Sequence, residues 1–323
     1  MGMRIPDELG AAIEARTGAQ TGLAKAAAEL SATYRNREFA VPALKSEAQR
    51  LAYVMVRMPA TYAACRRALE ESRQAIAGLE PASLLDLGAG PGTASWAAAE
   101  VFPTLRSVTM VERDAAMASL GRELMLESRQ ESLRRAAWVQ ADLMAELKNE
   151  GADLVVMSYV LGELSAAVAE KIVERAWGLA RQALVVIEPG TRAGFAQIEK
   201  LRAKLIASGA EIAAPCPHQE RCPMATAGDW CHFSQRLERT AEHRRIKQGE
   251  LGHEDEKFSY LAVSKAGVQK ASARIVRHPV YRPKQVQLTL CTAEGLQQTT
   301  ITKSQGERYK RAKKAEWGSA FEI

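Results

Sequence analysis

Apolar residues in the first 78 positions recur at helical spacing, as at Leu51, Val54, Met55 and Met58, with Pro59 as punctuation. That pattern predicts several helices and no strand, with Tyr34, Tyr53 and Tyr62 as packing residues. From residue 82 the rhythm changes. Short apolar runs (SLLDLG, SVTMVE, AAWVQAD, ADLVVMSYV and ALVVIEP) alternate with amphipathic stretches. These are TASWAAAEVF, a long helix from residue 115 to about 135, SAAVAEKIVERAWGLAR and AGFAQIEKLRAKLIASG. Five strands alternating with helices predict an α/β fold whose parallel sheet is covered on both faces. Right-handed crossovers then bring the loops after the strands to one edge, where ligands bind. After residue 213 the alternation stops. A Cys/His/Pro-rich stretch leads into a predicted basic polar helix over 235–248, then into strand candidates FSYLAVS, ARIVRH, QVQLTLCT and GLQQTTITK.

Charge divides the chain in the same place. Residues 1–212 hold 25 Lys/Arg against 26 Asp/Glu, and residues 213–323 hold 19 against 12, so the last third carries the whole net charge of +6. All five His and four of the five Cys lie there too. Three units follow: a helical segment at 1–78, a Rossmann-like domain at 79–212 with a strand near 257–265 placed to rejoin its sheet, and a Cys-rich, basic, β-containing module at 213–323. A basic module favours a polyanionic partner, nucleic acid above all; its tail over 303–314 has six basic residues against one Glu. No stretch approaches 18 uninterrupted apolar residues, so no membrane association is expected. The first residues lack the long apolar core of a leader. The expectation is a cytoplasmic monomer.

The strongest local signal is Asp86-Leu-Gly88-Ala-Gly90-Pro-Gly92-Thr93, which follows a strand and opens a helix. Glycines there let the backbone turn tightly and approach a ligand. A dinucleotide fingerprint would place its third glycine where Thr93 sits. The alternating form instead resembles the first motif of class I methyltransferases, which bind S-adenosylmethionine. Glu112 ends the second strand, where an acid can accept hydrogen bonds from both ribose hydroxyls. Asp142 ends the third, and Ser158 the fourth. Each acid alone fits a helix cap; three at successive strand ends point to a cofactor site. After the fourth strand, where chemistry sits in this fold, Tyr159 and Glu163 are the candidates for proton transfer, and no catalytic residue is identified. Methyl transfer can run largely on positioning. Glu188, after the fifth strand, reads equally as a substrate-side residue or a turn.

The second signal is Cys216-Pro-His218 … Cys222-Pro … Trp230-Cys231-His232-Phe233, with Cys291 far downstream. Clustered reduced cysteines beside proline read as metal ligands. Four thiolates complete either a tetrahedral zinc site or a 4Fe–4S cluster. The spacing lacks the paired knuckles of a zinc ribbon, and His218 and His232 keep a mixed Cys/His zinc site open. Cys65 reads as an ordinary core residue.

Taken together, RMPATYAA, LLDLGAGPGT, IEPGTRAGF, the Cys-Pro-His and Trp-Cys-His-Phe elements, KFSYL, ARIVRHP and Cys291 resemble the methyltransferase-like assembly factors of the mitochondrial ribosomal small subunit and their bacterial relatives. The likeness runs from about residue 31 to the end. It implies association with the small subunit through its rRNA, no DNA partner, and a 4Fe–4S cluster with Cys216, Cys222, Cys231 and Cys291 at the ligand positions. It also implies S-adenosylmethionine-dependent methyltransferase activity, with rRNA as an acceptor. Mitochondrial members often have eroded cofactor motifs, whereas Asp86, Glu112 and Asp142 are all present here. The alternative is a soluble methyltransferase of a small molecule or protein, stapled by structural zinc.

Overall fold

A computed structural model describes the chain except residues 1, 19, 37–43, 146–149 and 248–250, and except the side chains of 33–36, Tyr34 among them, and 247. Four helices come first: α1 (Asp7–Thr17), α2 (Leu23–Asn36), α3 (Glu47–Val56) and α4 (Met58–Ala75). The Ser46 side chain accepts from the Gln49 N–H and starts α3, as an N-cap should. Pro59 sits in the first turn of α4, where its missing N–H is no loss.

The alternating part follows as β1 (Ser83–Leu87), α5 (Thr93–Val101), β2 (Ser107–Glu112), α6 (Ala115–Leu126), α7 (Glu131–Arg134), β3 (Ala137–Gln140) and β4 (Ala152–Ser158). A 3-10 turn at Leu161–Glu163, α8 (Ala166–Leu179), β5 (Ala180–Pro189), α9 (Arg192–Ala207) and β6 (Glu211–Ala214) complete it. Next come α10 (Pro223–Thr226), β7 (Phe233–Glu238), α11 (Ala241–Lys247) and β8 (His253–Ser264). The chain ends with β9 (Ala273–Ile275), β10 (Val280–Arg282), β11 (Gln285–Thr292), β12 (Gly295–Thr302), α12 (Glu307–Lys313) and β13 (Ala320–Phe321).

The main sheet runs β3-β2-β1-β4-β5-β8-β6. Its first five strands pair in parallel, and β8 lies antiparallel between β5 and β6. This is a Rossmann-like α/β sheet, mostly parallel and covered by helices on both faces. Alternate residues bury on opposite faces. Leu84, Val156, Val185 and Tyr260 join the core under α1–α5, and Leu85, Val155, Val186 and Leu261 join the core under α8 and α9. Helix α5 is buried nearly all round, Trp96 included, as its small apolar residues allow. Among the described residues no helix is long and apolar enough to cross a membrane.

Two predicted helices differ from the structure. The helix expected from 115 to 135 breaks into α6 and α7, because Arg134 Nη1 donates to the Ser128 carbonyl at 2.6 Å and holds a turn there. The basic helix expected over 235–248 is strand β7 up to Glu238, then α11; Gln248 lies outside the described residues. β7 pairs along the free edge of β8, which sets Arg236 directly opposite Asp255 in a two-pronged ion pair at 2.8 Å. Tertiary pairing overrides local propensity there.

β6 and β7 both pair on the same edge of β8, one after the other. The cysteine stretch is the excursion between them, and the composition boundary at 212/213 falls inside β6. A second sheet packs alongside: β12 covers one side of β11, and β10 and β9 share the other. It encloses Ile275, Val286, Leu288, Leu290 and Ile301 under Ala312 of α12.

Arg274 of β9 ties these parts together. It is buried, pairs with Glu71 of α4, and donates to the carbonyls of Pro215 at 2.7 Å and Gly318 at 2.9 Å. Arg274→Ala would leave two buried carbonyls without this donor and Glu71 with Arg67 as its remaining ion-pair partner at 2.9 Å. The expected loss is about 2–5 kcal/mol, measured by urea unfolding; Arg236→Ala, in an exposed pair, should leave the midpoint nearly unchanged.

Candidate cofactor site and cysteine cavity

The glycine loop leaves β1 and enters α5 with Gly88, Gly90 and Gly92 all at positive φ (77°, 56° and 82°). A Cβ on Gly88 would strike Val160, and one on Gly92 would strike Met125. A Cβ on Gly90 would meet nothing within 4 Å, so the loop offers an open cradle at that point. The Gly90 N–H donates to Glu112 Oε2 at 2.8 Å, and the Asp114 N–H donates to Glu112 Oε1 at 2.7 Å. Glu112 therefore clamps the loop to the end of β2, with lone pairs left for further donors.

Asp86 is wholly buried. Its Oδ2 accepts from the Ser95 N–H at 3.2 Å and the Ser95 hydroxyl at 2.8 Å. Its Oδ1 and the buried Thr93 hydroxyl have no partner. Burial pushes the Asp86 carboxyl up to about 7 despite the Ser95 hydrogen bonds. Asp142 lies two residues past β3, exposed, with Oδ1 accepting from the Met144 N–H at 2.7 Å. Ser158 ends β4, half-buried, and Cys65 of α4 is in the core below it.

Tyr159 is held at φ 57°, a conformation that L side chains adopt at a cost. Its N–H donates to the Ile187 carbonyl at 2.8 Å, and its hydroxyl donates to Glu256 of β8 at 3.0 Å. Glu256 in turn pairs with Arg57 at the start of α4 at 3.2 Å. Glu163 pairs with Arg113 at 2.8 Å, while burial raises its pKa. Both candidate proton-transfer groups are thus engaged by the protein itself. Glu188 is buried and caps the 3-10 turn, its Oε1 accepting from the Leu161 N–H at 2.9 Å. Burial pushes it up to about 7, against the pull of the Leu161, Gly162 and Val160 N–H groups. Glu188 is itself a paired residue of β5, opposite Ser259, so it is not the strand-end turn considered from sequence; its side chain serves the turn after β4.

The four clustered cysteines meet. Cys216, Cys222, Cys231 and Cys291 line one cavity together with His218 and Met224. They come from the excursion after β6 and from β11. His218 Nε2 stands 3.6 Å from Cys291 Sγ. Among the described residues no three His, Cys, Asp or Glu side chains stand close enough to share a single metal ion. Burial pushes the Cys291 thiol up to about 12, and raises Cys216 and Cys231 as well, with the nearby Arg202 and Arg277 guanidiniums opposing. His232 does not line this cavity; it stacks on Trp230 at 4.9 Å and meets Trp317 edge-on at 4.8 Å.

Sequence reasoning missed the parts that join the two sites. Trp230 Nε1 donates to the Gly190 carbonyl at 3.0 Å, and Arg192 covers the ring at 4.4 Å. The Gly190 N–H donates to the Lys257 carbonyl at 2.9 Å, and a Cβ on Gly190 would collide with the Lys257–Phe258 backbone. The post-β5 loop, the cysteine excursion and β8 are thereby locked at one residue. Only the Glu188-Pro-Gly-Thr turn signal hinted at this.

Asp86 and Glu188 bind protons more tightly folded than unfolded. Their contribution to stability is full below the ordinary carboxylate range and is lost as pH rises through about 7. In urea melts at pH 5 to 8, Asp86→Asn should therefore gain on the parent protein as pH rises. A difference that does not vary with pH would refute the assignment.

Comparison with known proteins gives four findings. Residues 47–322 match the model of the family described as mitochondrial small ribosomal subunit Rsm22. The human ribosome assembly protein METTL17, mitochondrial, is 29% identical over 297 residues, covering 86% of this chain and 63% of that protein. The Schizosaccharomyces pombe Rsm22-cox11 tandem protein 2, mitochondrial, is 26% identical over 337 residues, covering 86% of this chain and 44% of that one. The chain thus spans about three fifths of the first relative and under half of the second. Among solved structures, the Synechocystis magnesium protoporphyrin IX methyltransferase with bound SAM aligns at TM-score 0.42 and 13% identity, over 77% of this chain and 100% of that one.

Proposed function

Since this chain belongs to the Rsm22 family of the mitochondrial small ribosomal subunit, we propose that it associates with a small ribosomal subunit or its rRNA and supports the assembly of that subunit. In this reading it holds S-adenosylmethionine at the glycine loop and a 4Fe–4S cluster on Cys216, Cys222, Cys231 and Cys291. The observation that carries the reading is the convergence of those four thiols, brought from separate segments to one cavity within the family-matched span.

Both groups fit the residues present. For the cofactor, the open cradle at Gly90 and the unpartnered Asp86 Oδ1 and Thr93 hydroxyl are atoms awaiting a polar ligand. Asp86 would face the amino-acid end, Glu112 the ribose and Asp142 the adenine, with Ser158 beside them. S-adenosylmethionine would supply an electrophilic methyl group, for which rRNA is the proposed acceptor. The protein's part is orientation: the Glu112 clamp fixes the loop, and the Glu188 cap fixes the turn after β4. For the cluster, four thiols around one cavity suit a ligand broader than a lone ion. Burial raises these thiols, and Arg202 and Arg277 beside them oppose that shift. The group would staple β11 to the excursion after β6. Phosphate contacts would come from the basic last third, including Lys310, Arg311, Lys313 and Lys314, all exposed.

Anaerobic purification followed by iron, sulfide and zinc analysis tests the reading. About four irons with matching sulfide, lost in Cys222→Ser, is the expected result. A colourless protein with about one zinc would instead favour a soluble methyltransferase of a small molecule or protein with a structural zinc. Glu112→Ala should weaken S-adenosylmethionine binding about tenfold or more in titration calorimetry, because it removes charged hydrogen-bond acceptors. Unchanged affinity would move the cofactor elsewhere.

A further inference from the structure

The β10–β11 hairpin turns through two residues, Pro283 and Lys284, between the paired Arg282 and Gln285. Lys284 sits at φ 61°. That left-handed position is one glycine takes without strain, and a lysine there is held against its backbone preference. Residual strain of this kind is retained where a side chain is needed.

The surroundings indicate what the lysine serves. Residues 280–284 are all exposed. Tyr281 is 56% exposed, with its hydroxyl donating to the Ala315 carbonyl at 2.8 Å. The Lys303 N–H donates to the Lys284 carbonyl at 2.8 Å, which sets a third cation beside Arg282 and Lys284. None of the three forms an ion pair with another described residue.

Behind this tip runs the outer face of the small sheet. Gln285 lies opposite Thr302, Gln287 opposite Thr300, and Thr289 opposite Gln298. The inner face buries Val286, Leu288, Leu290 and Ile301 instead. Among the described residues the outer face is therefore mostly uncharged hydrogen-bonding side chains, interrupted by the exposed Val280 opposite Gln287 and by Leu296 opposite Cys291, and it ends in three cations without an ion-pair partner. Neutral amides and hydroxyls flanked by cations suit sugar hydroxyls and phosphates.

We propose that this face and its tip (Arg282, Lys284 and Lys303 with the Gln/Thr ladder) form an RNA-docking edge, with Lys284 a phosphate contact. The proposal rests on the rRNA-binding reading above and names the surface responsible.

The test compares full-length parent, Lys284→Gly and Lys284→Arg. Thermal melting is measured first, then affinity for transcribed small-subunit rRNA across a salt series, then co-sedimentation with intact small subunits. Lys284→Gly should melt no lower than the parent, since glycine relieves the turn. It should nonetheless bind rRNA about three- to tenfold more weakly, with a log–log salt slope shallower by about 0.9 for the one lost phosphate contact. Lys284→Arg should restore affinity and slope. Parent-like affinity and slope in Lys284→Gly would overturn the proposal while leaving the rRNA reading in place. So would unchanged rRNA binding with reduced small-subunit sedimentation, which would mark a protein-facing surface. No rRNA binding by the parent would sink both.

Discussion

One buried cation organises the chain. Arg274 reaches a carboxylate on α4, the carbonyl at the head of the cysteine excursion and the carbonyl of Gly318 near the chain end. Each of those segments presents a polar group in a dry interior, and one multi-pronged donor reaches all three. A guanidinium has the five-donor fork for this, and a lysine does not. The helical segment, the main sheet and the small sheet are consequently fixed relative to one another by polar geometry.

The second organising feature is β8. It closes the main sheet between β5 and β6, carries β7 further along the edge that β6 occupies, and supplies Glu256 to Tyr159. Three positions away on the same strand, the Ser259 hydroxyl donates to the Cys231 carbonyl at 2.8 Å. The loop after β4 and the cysteine cavity thus have a strand in common, and Gly190 adds a second bridge through Trp230. A displacement of the excursion cannot remain local, because it pulls on a backbone that has no room even for a methyl group.

The legible parts were those whose signal is local. Strands β1, β4 and β5 are buried on both faces and read as near-continuous apolar runs, while β2 shows the partial alternation of a strand nearer the edge. The glycine loop announces its positive φ angles through residue type. β7 was illegible because it is set by ladder pairing with a strand about 20 residues downstream, and polar strands at an edge look like polar helices in sequence. The candidate roles of Tyr159 and Glu163 rested on position after the fourth strand; their partners, Glu256 and Arg113, lie 97 and 50 residues away. No spacing rule reaches that far. The cysteine convergence was inferred from chemistry, while the path that brings Cys291 to the others depends on β9 and β11 pairing, which sequence did not display.

The placement of β8 also sets a timetable. Strand β5 ends at Pro189, yet the strand that covers its edge is complete only at Ser264. At roughly 5–20 residues per second of synthesis, β5 waits roughly 4–15 s beside an open edge. That edge includes Leu184, Val185, Val186 and Ile187, the kind of exposed apolar strand that pairs with a neighbouring chain. The helices α8 and α9 are already made and can shield its faces, but neither can satisfy its hydrogen bonds. Yield of this protein in a cell should thus be governed by how quickly the last third emerges and by what guards the nascent chain meanwhile, a cost of closing a parallel sheet with a strand borrowed from far downstream.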